Sequence, residues 1–188
     1  MARASSLRLD FEAGIPDLVA FLNTRDAATG EDRLSSPDGA GRWLRDRALL
    51  RDGETCDEAL ARRLRRVRTV LTDLLRAAAG NGRVSGAARE DLRRAVRVAP
   101  LRVAFDRDGG PRVQAAGPLG RVVALVLAAW AEGAWGRLKV CRNPACGRVF
   151  VDRSRNRSRS WCAMRWCGNQ AKARAYRRRR RAGAEGSP

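Results

Sequence analysis

Seven apolar residues (Leu60, Leu64, Val67, Val70, Leu71, Leu74 and Leu75) recur three and four positions apart along one stretch of the chain. That spacing lines them up on one face of a helix. Thr55-Cys56-Asp57-Glu58, just ahead, fits a capping box. Gly80-Asn81-Gly82 closes the run with residues that tolerate the left-handed backbone of a helix end. A shorter helix is predicted over 15–25, with Pro16 in its first turn and Leu18, Phe21 and Leu22 on its apolar face. Residues 27–40 are polar and rich in Gly, Ser, Asp and Pro, so they read as a loop. Further helices are predicted over 41–50 and over 86–98, the latter with Leu92 and Val96 inward.

At residue 101 the period changes. Leu101, Val103 and Phe105 alternate with other residues, Asp108-Gly109-Gly110 is turn chemistry, and Arg112 to Ala115 returns. This predicts a β-hairpin. Pro118 then opens a helix over 119–136 that is apolar almost all round, as expected of the central helix of a domain. The fold class is therefore α+β. A mainly helical N-terminal domain with one hairpin spans 1–136, a small cysteine module with a basic helix spans 137–181, and 182–188 reads as a disordered tail.

Charge changes this picture. The net charge is +19 and the isoelectric point is near 11.6. Between Arg137 and Arg181 lie sixteen Lys or Arg and one acid, Asp152, so +15 of the excess falls there and the rest is nearly balanced. Such a concentration points to a polyanionic partner. The opening MARASSLRLDFEAG has no apolar signal-peptide core, and Val122–Ala131 is too short to span a bilayer. Both observations predict a cytoplasmic, reducing setting without membrane insertion, where clustered cysteines serve metals more often than disulfides.

Cys141, Cys146, Cys162 and Cys167 form two pairs, C-x4-C and C-x4-C, separated by fifteen residues. Each close pair can offer two sulfurs from one tight turn to a tetrahedral Zn2+. Asn143-Pro144 and Gly147 supply turn residues in the first pair, and Gly168 follows the last cysteine. Neighbouring arginines favour the thiolates and offset the charge of a four-thiolate centre. An iron–sulfur cluster or disulfides are the alternatives. Four thiolates close the coordination shell, which speaks against a catalytic metal. Cys56 sits alone, and a chain without histidine offers it no imidazole base. With no glycine-rich phosphate loop and no recognisable carboxylate pair either, an enzyme is not expected.

Arg153, Arg155, Arg157 and Arg159 alternate with Ser154, Asn156, Ser158 and Ser160. If extended, this segment would present guanidinium groups on one side, suited to tracking phosphates. From Asn169 the chain reads as a helix favoured by Ala171, Ala173 and Ala175, with Lys172, Arg174, Arg177 and Arg178 on its surface. A basic helix of this kind can enter the major groove of DNA. The competing reading is a solvated basic tail. Phe150, Trp161, Trp166 and Tyr176 interleave with the charges. Stacking on bases is possible for such rings, but packing around a small metal core is the expectation for Phe150 and both tryptophans.

The stretch CRNPACGRVFVDRSRNRSRSWCAMRWCGNQAKARAYRRR resembles the CGNR zinc finger. The matching residues are Ser154, Asn156, Arg157, Ser158, Arg159, Trp161, Cys162, Cys167, Gly168 and Asn169. Gln170 departs from the family's usual arginine, which removes one cationic contact but no metal ligand. Phe21-Leu22-Asn23-Thr24, the helical middle and the hairpin before the last helix resemble the ABATE domain. These resemblances imply a bacterial, stress-linked transcription regulator.

The resulting expectation is a zinc-dependent regulator that binds double-stranded DNA. Its metal ligands are Cys141, Cys146, Cys162 and Cys167. Its nucleic-acid contacts come from Arg153, Arg155, Asn156, Arg157, Arg159, Asn169, Gln170, Lys172, Arg174, Arg177 and Arg178. Asn23 and Thr24 mark a candidate regulatory pocket, with helix-end hydrogen bonding as the plainer role. One finger reads few base pairs, so the N-terminal domain is expected to dimerise or to sense a signal. RNA binding and a redox-responsive zinc switch are the rival readings.

Overall fold

In a computed structural model, residues 8–9, 14–79, 85–99 and 101–184 are described. Helices α1 (Ile15–Leu22), α2 (Pro37–Arg45), α3 (Glu58–Ala79), α4 (Gly86–Val96) and α5 (Gly117–Ala131) surround one apolar core. A short turn of 3-10 helix (Trp135–Arg137) leads into strands β4 (Leu138–Val140) and β5 (Val149–Val151), and α6 (Asn169–Ala184) ends the described chain. The sheet of the first part holds β1 (Arg8–Leu9), β2 (Leu101–Phe105) and β3 (Pro111–Ala115), in the order β1-β3-β2. The α+β class holds.

The long helix forms as its periodicity dictates. Leu64, Val67, Val70, Leu71 and Leu75 are buried along α3, and full burial of each such side chain is worth roughly 2 kcal/mol. Its start differs from expectation. The Asp57 carboxylate, not Thr55, accepts the Leu60 amide at 2.7 Å and caps the helix. The Gly80-Asn81-Gly82 stop lies outside the described residues.

Four other boundaries moved. α1 ends at Leu22 instead of 25, because the next two side chains turn back on the helix. Asn23 Nδ2 donates to the Val19 carbonyl at 2.9 Å, and Thr24 Oγ1 donates to that of Phe21 at 2.7 Å. α2 begins at Pro37 rather than 41, since Ser36 Oγ accepts the Gly39 amide and Pro37 fits the first turn. α5 ends at Ala131, short of 136. α6 runs to Ala184, three residues into the expected tail, and 185–188 lie outside the described residues.

The hairpin is where the pattern placed it, with Val103 opposite Val113 and Leu101 opposite Ala115. β1 was not expected, since two residues carry no periodic signal. It pairs parallel to β3, with Leu9 beside Val113. α5 lies centrally, as its composition required. Val122, Ala124, Leu125, Ala128 and Ala129 are buried, and Ala124 meets Val113 and Ala115 of the sheet. Its one buried cation, Arg121, donates to the Leu49 carbonyl at 2.9 Å and pairs with Glu54.

Candidate metal centre and nucleic-acid interface

β4 and β5 form an antiparallel hairpin, Leu138 opposite Val151 and Val140 opposite Val149. These four residues share one face and pack against the helical core. Lys139 and Phe150 occupy the other face, as strand alternation requires. Phe150 there joins Cys141, Cys146, Trp161, Cys162 and Cys167 in a second small core.

The first cysteine pair lies on the tip of this hairpin. The Cys141 amide donates to the Arg148 carbonyl at 2.8 Å, and the Asn143 carbonyl accepts the Cys146 amide at 2.9 Å. Gly147 has φ +59°, a left-handed turn that suits glycine. The second pair brackets a tight turn. The Ala163 carbonyl accepts the amides of Cys167 at 3.0 Å and Gly168 at 3.3 Å, and the turn runs straight into α6.

All four Sγ atoms lie within 4.8 Å of one another. Cys146 and Cys162 are 3.6 Å apart, and Cys162 and Cys167 are 3.7 Å apart. These separations are too long for disulfides. They match the edge of a tetrahedron with metal–sulfur bonds of about 2.3 Å, which is about 3.8 Å. The donor set thus fits one tetrahedral metal ion. The thiols also show what such an ion would relieve. Burial, together with the crowding of the other sulfurs, pushes Cys162 far above the usual thiol range, and burial raises Cys146. At Cys167 burial also opposes ionisation, but hydrogen bonding, led by Asn143, brings the thiol below its ordinary value.

Two buried polar residues, neither of them among the expected site residues, organise the surface around this centre. Asp152 is fully buried. It accepts Lys139 Nζ at 2.7 Å, the Ser154 amide at 2.9 Å and hydroxyl at 2.6 Å, and the Arg159 amide at 2.9 Å. Burial alone would raise its pKa, but these donors hold it well below the carboxylate range. Lys139 also donates to the Arg157 carbonyl. The segment is consequently gathered into a turn, with Arg157 at φ +48°, and not extended as the alternation suggested. The sole acid within a strongly basic stretch was the available signal.

Asn143 is the second. Its Nδ2 donates to Gln170 Oε1 at 3.0 Å, and its Oδ1 accepts Arg174 at 2.8 Å. Residues 170 and 174 are one helical turn apart, so one amide grips α6 on a single face. Gln170 and Arg174, expected as nucleic-acid contacts, are thus drawn into positioning the helix. Arg159 is similarly engaged, stacked 5.3 Å over Phe150 and donating to the Cys162 carbonyl at 2.8 Å. Asn169 donates to the Arg165 carbonyl at 3.0 Å. Arg153, Arg155, Asn156, Arg157, Lys172, Arg177 and Arg178 are exposed.

The aromatics divide. Phe150 and Trp161 pack on the metal core, as expected. Trp166 does not: it is exposed, with the Arg165 guanidinium 5.4 Å over its ring. It lies inside the turn between two ligands, whose sulfurs take the inward positions. Tyr176 is exposed as well.

Asn23 and Thr24 sit where the two parts of the molecule meet. Asn23 Nδ2 donates to the Val149 carbonyl at 2.8 Å, and its Oδ1 accepts the Val149 amide at 2.9 Å, so the side chain pairs with β5 like a strand residue. Thr24 accepts a hydrogen bond from the buried Arg68, which also clamps both oxygens of Asp32 at 2.6 Å. A cleft of about 230 Å³ lies beside them, and Arg25, Arg68, Thr72, Arg76, Cys146 and Gly147 are among its walls. Cys56, by contrast, packs at the edge of the helical core, its thiol pushed up by burial and by the charges of Asp57 and Glu58.

Four sulfurs placed to hold one metal ion, with a basic loop and a basic helix beside them, have the make-up of a zinc-finger module. The CGNR zinc finger family matches residues 137–180. A second family, ABATE, described as "Putative stress-induced transcription regulator", matches residues 18–138. That match spans well over half of the chain, and the chain belongs to the ABATE family, with a CGNR zinc finger at its C-terminal end. No curated protein matches the chain. The family description is that of a regulator, not an enzyme. None of the described helices is long and apolar enough to cross a membrane.

Proposed function

We propose that this protein is a zinc-dependent transcription regulator of the cytoplasm that binds double-stranded DNA with a sequence preference. The observation that carries the reading is the common anchorage of the basic elements. The arginine loop is tied to the centre through Asp152 and Arg159, and α6 leaves directly from the last ligand. Zn2+ would be held by Cys141, Cys146, Cys162 and Cys167. The ion would add folding energy to a module whose own core, around Phe150, is small. Arg153, Arg155, Arg157, Lys172, Arg177 and Arg178 then meet phosphates or base edges. Arg174 and Gln170 hold the helix at the angle that allows this. Asn23, Thr24 and the cleft beside them are the place where a signal would reach the finger.

The exposure of Trp166 and Tyr176 favours a second reading, since rings among arginines can stack on the unpaired bases of RNA. Equal amounts of random duplex DNA and structured RNA, offered together to zinc-loaded protein, separate the two. Enrichment of a short duplex motif supports the regulator, and enrichment of RNA replaces it. If about six phosphates are neutralised, log affinity for DNA falls against log salt with a slope of about −5. A flat response would sink the reading as a DNA binder.

A further inference from the structure

β2 is an outer strand of its sheet, bonded to β3 on one side only among the described residues. Its side chains Leu101, Val103 and Phe105 share a face with Val113 and Ala115. α5 covers the latter two, and Leu101 reaches the same cluster. Val103 and Phe105 lie beyond it and are each 71% exposed. An apolar row on a sheet edge is what monomeric proteins avoid, usually with lysine, proline or a bulge. Within Leu101–Phe105 there is one charge, Arg102, and it points to the opposite face.

The backbone agrees. The Asp106 amide bonds the Gly110 carbonyl at 2.8 Å at the hairpin end. Because bonded and non-bonded pairs alternate in an antiparallel ladder, the pairs 104–112 and 102–114 carry the bonds to β3. The amides and carbonyls of Leu101, Val103 and Phe105 therefore point outward, from the residues whose side chains form the apolar row.

We infer that β2 is a dimerisation edge, pairing antiparallel with β2 of a second copy in a register centred on Val103. This occupant is favoured because the strand is self-complementary. Centred there, Val103 faces Val103 of the second copy, Leu101 faces Phe105, and Arg102 faces Ala104, so no like charges meet. Shifting the register by two residues either faces Arg102 with itself or shortens the ladder. The surrounding domain is nearly neutral, most of the +19 charge lying beyond Arg137. Two hairpins would become one continuous sheet with a two-fold axis at its middle, an isologous interface. The inference takes up the expectation that the N-terminal domain dimerises and does not rest on DNA binding.

Val103, meeting itself across the axis, makes a decisive test. Analytical ultracentrifugation of the full zinc-loaded chain, in low salt without nucleic acid, should show a monomer–dimer equilibrium in the micromolar range. Val103→Lys and Val103→Glu each place like charges opposite one another and should each weaken association at least about tenfold. An equimolar mixture of the two should recover it, which a folding defect could not do. A wild-type chain monomeric throughout, variants that associate like wild type, or a mixture that stays monomeric would overturn the inference. DNA binding by a strictly monomeric wild type would leave the proposed function standing without it.

Discussion

Arg68 is the residue on which the N-terminal domain turns most sharply. It lies on the buried face of α3, where the hydrophobic periodicity gave no reason to expect a cation, and it survives there because Asp32 and Thr24 meet it. Burial works against ionisation of Asp32. The hydrogen bonds from Arg68 and from the Leu34 amide more than offset that and hold its pKa below the ordinary value. A depressed carboxylate contributes stability that is fully present above its unfolded value near 3.9 and is lost as pH falls through the lower folded value. Asp32→Asn leaves a buried guanidinium without its counter-charge and should cost about 3 kcal/mol at neutral pH. In urea titrations followed by circular dichroism, the gap to wild type should hold down to about pH 5 and close below about pH 4. A gap that persists undiminished at lower pH would show that the pair is not its source.

At the scale of elements, the decisive one is α6, because every reading of function depends on where it points. Its connection to the cysteine cluster is short on both sides: only Gly168 separates Cys167 from its first residue, and Asn143 grips Gln170 and Arg174 from the first cysteine turn. Asn143→Ala removes that grip without removing a sulfur. We expect the zinc stoichiometry to be unchanged and the metal affinity reduced, as for other groups that hydrogen-bond a ligand. Amide exchange in the first turns of α6 should quicken, and DNA affinity should fall by roughly a factor of ten, or ~1.4 kcal/mol. Mass spectrometry of exchanging amides and a binding titration check this. Unaltered exchange and affinity would mean that the turn before α6 alone sets its direction. Gln170, where the family usually has arginine, is here a hydrogen-bond acceptor for the same amide, a role that arginine cannot fill.

Over the whole molecule, the hairpin that begins the finger shares the core of the N-terminal domain through Leu138, Val140 and Val149. Asn23 adds two hydrogen bonds to β5 across the same junction. The two parts are therefore expected to melt together in the zinc-bound protein. Asn23→Ala removes about 2 kcal/mol of that coupling, at about 1 kcal/mol for each bond. In scanning calorimetry a lower-melting shoulder should separate from the main transition. A single transition at the wild-type temperature would show that apolar packing alone joins the parts. The same junction gives the proposed regulator a physical route for a signal, since anything that displaces Asn23 or fills the cleft beside Gly147 acts on a turn that holds a metal ligand.

Local patterns in the sequence determined a good deal. The face of α3 follows from its period, because a repeat sustained from Leu60 to Leu75 leaves little freedom. The hairpin follows from alternation around Asp108-Gly109-Gly110. The meeting of the four cysteines follows from their spacing, because two sulfurs with four residues between them meet only over a turn. Other features were set only by tertiary structure. β1 is too short to carry a period. The arginine loop alternates like a strand yet closes into a turn, because one buried carboxylate, Asp152, collects its amides. Trp166 faces solvent although its composition suits a core, because the adjacent sulfurs occupy the inward positions. Asn23, Asn143 and Arg68 act on partners far away in the chain. Their roles come from which distant groups are buried beside them, and no periodicity along the chain encodes that.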